Sequence, residues 1–266
     1  MLKIVDIQGG LGNQLFQYCF ALKLKKEKGL VRLFFGKGYI EKQKVDSFRS
    51  IGFNPNFFGL KELSKFSYHL VEFVKWIPFF GKKFYTIHKE KTGIRTTKNY
   101  LLTSYNGFWQ DLVFLESSIL EIKYIIEKNI KFQPNNKTLL HIRRSDFKKN
   151  NLSLKINFYQ KALSNIDKNI SNISFDIFTD DTEWVNQQEI SKLAKNIFGP
   201  TQEKDDAFKN FEKMLGYKNY IIGNSTFSLW PALISSKIDS KIILEKGFYE
   251  RLNISKTQHY NHWTSI

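Results

Sequence analysis

The stretch LKIVDIQGGLGNQLFQYCFALKLKKEKGLVRLFF, residues 2–35, decides the fold. Its first residues are apolar and β-branched and are followed by Gly9-Gly10, which predicts a buried strand that ends in a tight turn. From Asn13 onward, apolar residues recur at helical spacing until a run of lysines and Gly29 close the helix. A second apolar run follows at 31–35. Strand, turn, helix and strand in this order predict a βαβ unit of a parallel sheet.

The same alternation continues along the chain. Strand-like runs occur at 100–110, 138–142, 174–179, 219–222 and 241–244, and helical patterns at 61–76, 112–128, 158–166 and after Ser225. The polar, proline-containing segment 133–136 separates two such regions and predicts a linker. We therefore expect an α/β fold of two Rossmann-type parallel-sheet domains, residues 1–134 and 135–266.

The amino-acid composition excludes a disordered chain and bears on the kind of binding partner. A hydrophobic content of 42% and an aromatic content of 16% exclude a disordered chain. The net charge of +16 favours a polyanionic partner, which includes nucleic acid, anionic lipid and phosphorylated ligands. An ordinary solvated surface rich in lysine is the alternative to such a partner.

Cysteine usage and hydropathy bear on location. Cys19 is the single cysteine, so an intramolecular disulfide is excluded, and its apolar neighbours indicate a core residue. The N-terminus lacks the pattern of a signal peptide, and no apolar run is long enough to span a membrane. We expect a cytoplasmic protein, soluble or peripheral to the membrane.

Polar clusters follow four of the predicted strands. They lie at 8–14 in the first half and at 143–146, 179–181 and 223–228 in the second half. Ligands of open α/β sheets bind beyond the carboxyl ends of the strands. This convergence is the main indication of a binding site.

The first cluster contains Gly10, Gly12, Asn13 and Gln14. It lacks the third glycine of the dinucleotide fingerprint, because Leu15 stands there, so a nicotinamide cofactor is not expected. A glycine turn that brings backbone close to a ligand remains, with two amides at a helix N-terminus that attracts anions. A turn required only by chain geometry is an equally good interpretation.

The segment His141-Ile142-Arg143-Arg144-Ser145-Asp146 is more specific. Arginine carries a rigid, permanently charged fork that matches phosphate oxygens. One arginine is expected to meet a diphosphate while the other, or Asp146, braces the loop. A purely structural arginine–aspartate pair at a strand end is the alternative.

Two further clusters complete the set. Asp180-Asp181 suggests a metal site, but the sequence contains no Asp-x-Asp, and a helix cap by Asp181 is an alternative. Residues 224–228 (Asn-Ser-Thr-Phe-Ser) suit a phosphate at a helix start, although capping alone needs only one of them. P-loop, Gly-x-Ser-x-Gly and zinc-ligand spacings do not occur.

Taken in order, the motifs resemble a known family. GGLGNQLFQYCFA (9–21), GFWQ (107–110), HIRRSDF (141–147), FTDDTEW (178–184) and GNSTFSLW (223–230) are similar to segments of the bacterial α-1,2-fucosyltransferases of glycosyltransferase family 11. The resemblance covers nearly the whole chain and is strongest in 2–22 and 138–235.

The resemblance implies a GT-B-like fold whose two domains face a cleft, with GDP-fucose as donor, inversion at the anomeric carbon, and neither metal nor other cofactor. It implies that Arg143 and Arg144 hold the donor diphosphate and that Asn13 reaches into the cleft. The other donor-binding residues that it implies are Gly10, Gly12, Gln14, His141, Asp180, Asp181, Asn224, Ser225, Thr226, Phe227 and Ser228. His141 and one of the two aspartates would lie near the guanine.

Several positions depart from the family pattern. Ser145 stands for glycine, Phe147 for tyrosine, Leu229 for tryptophan, and Pro231 for a small residue. A proline inside a helix is costly, so Pro231 is expected in the first turn of its helix. These departures concern acceptor specificity more than donor chemistry.

The resulting expectation is transfer of fucose to O2 of a terminal galactose on an oligosaccharide or glycolipid, in lipopolysaccharide O-antigen biosynthesis. Arg143, Arg144 and Asp146 are the expected catalytic residues, with Asp146 a candidate base beside Asp6 and Asp111. A different linkage, another GDP-sugar donor, and a basic nucleic-acid-binding protein are the alternatives. Residues 61–91 are candidates for contact with anionic membrane, or else form ordinary core and surface helices.

Overall fold

The structure is a computed structural model that describes residues 1–27, 29–35, 52–75, 85–89, 101–200 and 206–266. The chain divides into two compact units. Unit 1 comprises Met1–Gln110 and Leu115–Ile125, and unit 2 comprises Asp111–Phe114 and Ile126–Ile266. Much of the region 36–98, where we expect helices and loops, lies outside the described residues.

Unit 1 is built on a parallel sheet. Its described elements are β1 (Leu2–Ile7), α1 (Leu11–Lys26), β2 (Leu30–Phe35), a 3₁₀ turn (Pro55–Phe58), α2 (Lys65–Lys75), β3 (Tyr85–Lys89), β4 (Leu102–Asn106) and most of α3 (Leu112–Asn129). The strand order is β2-β1-β4-β3, and every pairing is parallel. Strand β1 lies between β2 and β4, and the chain crosses from β2 to the far edge strand β3 before it returns to β4. The connections therefore change direction between β1 and β4, and ligands of open α/β sheets bind at such a switch point.

Helix α1 is buried on almost every side, which explains its dense apolar sequence. It begins at Leu11, two residues before the predicted start, and Gly10 precedes it in extended conformation. Glycine offers no side chain to cap the helix, so the first amide groups of α1 have no side-chain hydrogen bond from the cap position.

Unit 2 is also built on a parallel sheet, which has six strands. Its elements are β5 (Thr138–Ile142), α4 (Ser145–Lys149), α5 (Ile156–Ile166), β6 (Phe175–Thr179), α6 (Thr182–Asn186), β7 (Asn196–Phe198), α7 (Asp206–Lys213), β8 (Asn219–Gly223), α8 (Thr226–Ser235), β9 (Ile242–Leu244), α9 (Lys246–Arg251) and β10 (Thr264–Ser265). The sheet order is β10-β9-β8-β5-β6-β7, and all pairings are parallel. This is the strand order of the dinucleotide-binding folds, with its switch point between β5 and β8.

The core of unit 2 lies between the sheet and its helices. Strands β5 and β6 are buried along their whole length. On one face, Tyr159 and Leu163 of α5 pack against Leu140 and Ile142 of β5. Such continuous burial is typical of parallel strands covered on both faces, and it fixes where β5 ends and its polar loop begins.

The predicted class, α/β with two Rossmann-type parallel sheets, is confirmed. The run at 241–244 is the last strand that the sequence pattern predicts, and this expectation is wrong because β10 follows it and pairs with β9. Strands β7 and β10 have three and two residues, too few to form a recognisable pattern.

The position expected for Pro231 is wrong. It lies inside α8 rather than in its first turn, so the Phe227 carbonyl receives no helical N–H four residues later. An interior proline costs about 3 kcal/mol relative to alanine. Leu229, Trp230 and the segment Ala232–Ile234 are fully buried, and this packing offsets the cost. Of Ser225 and Thr226, either of which the sequence allows as the cap, Ser225 caps the helix and accepts a hydrogen bond from the Phe227 amide at 3.3 Å.

Helix α2 carries apolar residues on its outer face. Phe66, Leu70 and Phe73 follow one another at helical spacing and are exposed within the described part of the chain. None of the helices in that part is long and apolar enough to cross a membrane. Contact of residues 61–91 with anionic lipid stays a prediction.

Asp176 connects several elements at the end of the unit 2 sheet where the strands begin. This buried carboxylate accepts from the Tyr217 hydroxyl at 2.7 Å, the Lys137 ammonium at 2.9 Å and the Asn196 amide at 2.8 Å. Desolvation, followed by the bond to Asp176, raises the pKa of Tyr217, so the phenol stays a donor. The cluster ties β6 to the starts of β5 and β7 and to the segment before β8.

We expect Tyr217→Phe to lower the free energy of unfolding by about 1.5–3 kcal/mol, since it removes one hydrogen bond to a buried charge. Urea denaturation followed by fluorescence measures this. Tyr124→Phe is the matched control, because Tyr124 is largely exposed. Equal stability of the two variants would contradict a structural role for the Asp176 cluster.

Candidate functional site

Arg143 lies directly after β5, at the switch point of unit 2. Its Nε donates to Asp146 Oδ1 at 3.0 Å, its Nη2 lies 3.0 Å from the same oxygen, and its Nη1 lies 3.0 Å from Asp180 Oδ2. The side chain keeps 32% of its surface exposed. A guanidinium has five N–H groups, so this one is fixed in place and still presents donors to a ligand.

Arg144 is held differently. Its Nε donates to Asp181 Oδ2 at 3.1 Å, and its guanidinium lies over the Trp184 ring at 3.7 Å from the centroid. The side chain is 12% exposed. This combination of an ion pair and a cation–π contact secures the loop after β5 to α6.

Asp180 organises the turn between the arginines and α4. Its carboxylate accepts from the backbone amides of Arg144 at 2.7 Å and Ser145 at 3.2 Å, in addition to its pairing with Arg143. Asp181 caps α6 by accepting from the Trp184 amide at 3.1 Å. The capping interpretation of Asp181 is therefore confirmed, and Asp180 positions both arginines.

The charges of this region nearly cancel. Arg143 and Arg144 pair with the carboxylates of Asp146, Asp180 and Asp181, and two lysines lie in the last turn of α4. Four cations against three anions leave one net positive charge. The capacity of this loop to bind an anion therefore depends on directed N–H groups more than on net charge.

His141 is buried within β5, one residue before the loop. Desolvation, followed by the positive charge of Arg143, lowers its pKa to about 3, so the imidazole is neutral at physiological pH. Its Nδ1 is buried and has no hydrogen-bond partner among the described residues. The ring lies 6.0 Å from that of Phe227.

The loop after β8 completes the switch point. Asn224 donates to the Leu152 carbonyl at 2.8 Å, Ser225 caps α8, and Ser228 donates to the Ser225 carbonyl at 3.4 Å. These three side chains stabilise the loop itself. Thr226 and Phe227 are partly exposed at the helix start, where backbone N–H groups attract anions.

The three glycines in and after the turn that follows β1 in unit 1 differ in backbone conformation and in burial. Gly9, which the motif comparison passed over, has φ +79, whereas Gly10 is extended and a Cβ there would meet nothing within 4 Å. Gly12 is buried inside α1. Gln14 donates to the Gly9 carbonyl at 3.1 Å and accepts from the Gly52 amide at 3.0 Å.

Two further residues of unit 1 were missed by sequence reasoning. Gln17 is fully buried and joins the two loops at the switch point, accepting from the Gln8 amide and donating to the Gly107 carbonyl, both at 2.9 Å. Gln110 donates to Asn13 Oδ1 at 2.8 Å. A buried amide in an apolar helix is the signal that could have identified Gln17.

The other two candidate bases, Asp6 and Asp111, each accept a hydrogen bond from a side chain of their own unit. Asp6 accepts from the Asn106 amide at 3.1 Å, and Asp111 caps α3 and accepts from Asn253 at 3.1 Å. Within the residues that the structure describes, no group of three or more His, Cys, Asp or Glu side chains is placed to hold a metal ion.

Two relatives and one solved structure are similar to this chain. An alpha-1,2-colitosyltransferase of Escherichia coli is 29% identical over 93% of this chain and 92% of its own length. The O-antigen biosynthesis glycosyltransferase WbnK of Escherichia coli is 26% identical over 94% and 96%. The crystal structure of NodZ alpha-1,6-fucosyltransferase soaked with GDP-fucose aligns with a TM-score of 0.46 and 12% identity, over 88% of this chain and 92% of that one.

The family model described as glycosyl transferase family 11 matches residues 82–266, which is more than half of the chain. This region contains the arginine loop, the two aspartates and the loop after β8. The resemblance inferred from the motifs is confirmed. The chain belongs to glycosyl transferase family 11.

Proposed function

We propose that the protein transfers L-fucose from GDP-fucose to O2 of a terminal galactose on an oligosaccharide or glycolipid, with inversion and without a metal or other cofactor. The observation that carries the proposal is the pair of arginines, fixed by carboxylates at the switch point of a dinucleotide-type sheet. The family and the relatives named for glycosyl transfer support the reaction class.

In this reaction the acceptor oxygen forms a bond to C1 of the sugar as the bond from C1 to the β-phosphate oxygen breaks. The electron pair leaves with GDP, and the acceptor proton passes to a base. Arg143, the more exposed arginine, is proposed to donate to the departing phosphate, while Arg144 secures the loop. Asp146 is the proposed base. Its pairing with Arg143 also suits an orienting role.

The donor sugar is the main alternative within this proposal, since one relative is named a colitosyltransferase. The test is incubation with GDP-fucose or GDP-colitose and a panel of galactosides, followed by linkage analysis of the products. We expect fucosylation at O2 of galactose. Turnover with GDP-colitose alone would show that the donor is GDP-colitose and not GDP-fucose. Absence of turnover with every GDP-sugar would overturn the proposed function.

Location is a further proposal. We place the enzyme in the cytoplasm, peripheral to the inner face of the membrane and without a nucleic-acid partner. The exposed stripe of α2 and the net charge of +16 support contact with anionic lipid. The relative named for O-antigen biosynthesis supports a glycolipid acceptor.

A further inference from the structure

Phe147 lies in the short helix α4, close to Arg143, and no residue of this helix is buried. The Arg143 guanidinium lies 5.9 Å from the centre of the Phe147 ring, whereas the Arg144 guanidinium lies 3.7 Å from the centre of the Trp184 ring. The closer pair is stacked, and the wider pair is at the limit of a cation–π contact. Arg143 is therefore held by its two carboxylate partners more than by the aromatic ring beside it.

Leu152 is hydrogen-bonded to Phe147 through the backbone. Its amide donates to the Phe147 carbonyl at 2.8 Å, and its own carbonyl accepts from the Asn224 side chain at 2.8 Å. The residue before it, Asn151, has φ +55, a left-handed conformation that asparagine adopts more readily than most residues. This turn connects the loop after β5 with the loop after β8 and leaves the Leu152 side chain 51% exposed. We call Phe147 and Leu152 the apolar rim of the switch point.

The apolar rim adjoins the arginine that is proposed to hold the departing phosphate of the donor. The transferred sugar is joined to that phosphate through a single oxygen atom, so it has to lie near the same arginine. The charged side chains of the loop suit phosphate oxygens and hydroxyl groups. An aromatic ring and a leucine side chain instead match a group without hydrogen-bonding capacity, because their contact removes apolar surface from water. The most apolar group of such a sugar is the methyl group at C6, which fucose and colitose carry and galactose lacks.

We propose that the apolar rim contacts the C6 methyl group of the transferred sugar, and that Phe147 selects 6-deoxyhexoses over hexoses with a hydroxyl group at C6. The proposal rests on the sugar-transfer function proposed above and names the residue that recognises the class of sugar. Phe147 takes no part in the bond-breaking step, which leaves the arginines and the base their proposed roles.

The test uses two donors, GDP-L-fucose and GDP-L-galactose, whose sugars differ only by a hydroxyl group at C6. We expect the wild-type kcat/KM to favour GDP-L-fucose on the order of 10- to 100-fold, which is the range of an apolar pocket against an added hydroxyl group. Phe147→Asn should lower this ratio roughly tenfold, mainly through a lower kcat/KM with GDP-L-fucose. Phe147→Leu introduces a side chain of similar size to asparagine that stays apolar, so it should keep most of the preference. Leu152→Asn should shift the ratio in the same direction as Phe147→Asn.

Leu193→Asn is the matched control, because Leu193 is exposed to a similar degree as Leu152 and lies in a 3₁₀ turn outside the loops after β5 and β8. Its donor ratio should equal that of the wild type. The ratio separates recognition from a structural role, since a folding defect lowers kcat/KM with both donors equally, and the melting temperature checks this directly.

A donor ratio for Phe147→Asn within twofold of the wild type, or an equal loss with both donors, overturns the inference. A raised KM for the acceptor at an unchanged donor ratio also overturns it, because the rim then contacts the acceptor. If the wild-type protein transfers fucose and galactose equally well, this inference fails and the proposed function stands. If it transfers neither sugar, both fail.

Discussion

Arg143→Ala is expected to lower kcat for sugar transfer by about 100-fold or more while the protein stays folded. The guanidinium is held between Asp146 and Asp180, so it needs no reorganisation when charge develops on the leaving phosphate. Loss of one preorganised donor at such a charge costs about 100- to 1000-fold in kcat. Initial rates with saturating GDP-sugar, together with the melting temperature, measure the effect.

Two controls accompany this variant. Arg251→Ala removes an arginine of α9 that lies over the Phe248 ring, outside the strand-end loops of the site, and should leave kcat unchanged. Arg143→Lys keeps the charge and loses the fork, so partial recovery relative to alanine would separate charge from bidentate geometry. A kcat for Arg143→Ala within threefold of wild type would remove the arginine from the mechanism.

The loop after β5, which carries Arg143 and Arg144, shows how much of the site can be predicted from the sequence. The apolar run of β5 and the two arginines after it are local features, so their position at a strand end was predictable. The contacts of Asp180 with Arg143 and with two backbone amides join residues about 36 positions apart. They depend on β5 and β6 being neighbours, which no local pattern reveals. The sequence left open whether Asp180-Asp181 forms a metal site or Asp181 only caps a helix, and it did not predict that Asp180 braces the turn.

The turn after β1 shows a different limit. The motif comparison favoured Gly10 and Gly12, because they align with a fingerprint, whereas the constrained position is Gly9. Backbone dihedral angles are set by the packing of α1 on the sheet, and three glycines within four positions are indistinguishable before that packing is known. Gln17 was missed for a related reason, since its helical position is that of a core residue.

Gly9→Ala is expected to reduce both stability and transfer. An alanine at φ +79 costs about 1–2 kcal/mol in backbone energy alone. Its methyl group would also lie 2.7 Å from Asn13 Nδ2 and 3.1 Å from the Phe108 ring, so Asn13 must move. Asn13 is one of the residues expected to reach the substrate, and displacing such a group by about 1 Å can cost on the order of 100-fold, so we expect a fall in kcat/KM of that order.

The control for Gly9→Ala is Gly59→Ala, which isolates backbone strain from collision. Gly59 has φ +63, and a Cβ there would meet only Lys25 Nζ, at 3.7 Å. Its variant should lose about 1 kcal/mol of unfolding free energy and retain kcat/KM. Gly10→Ala should retain wild-type stability, because the backbone is extended and the space is open. If Gly9→Ala and Gly59→Ala lose activity equally, strain alone explains the loss, and the close packing of Gly9 on Asn13 has no part in catalysis.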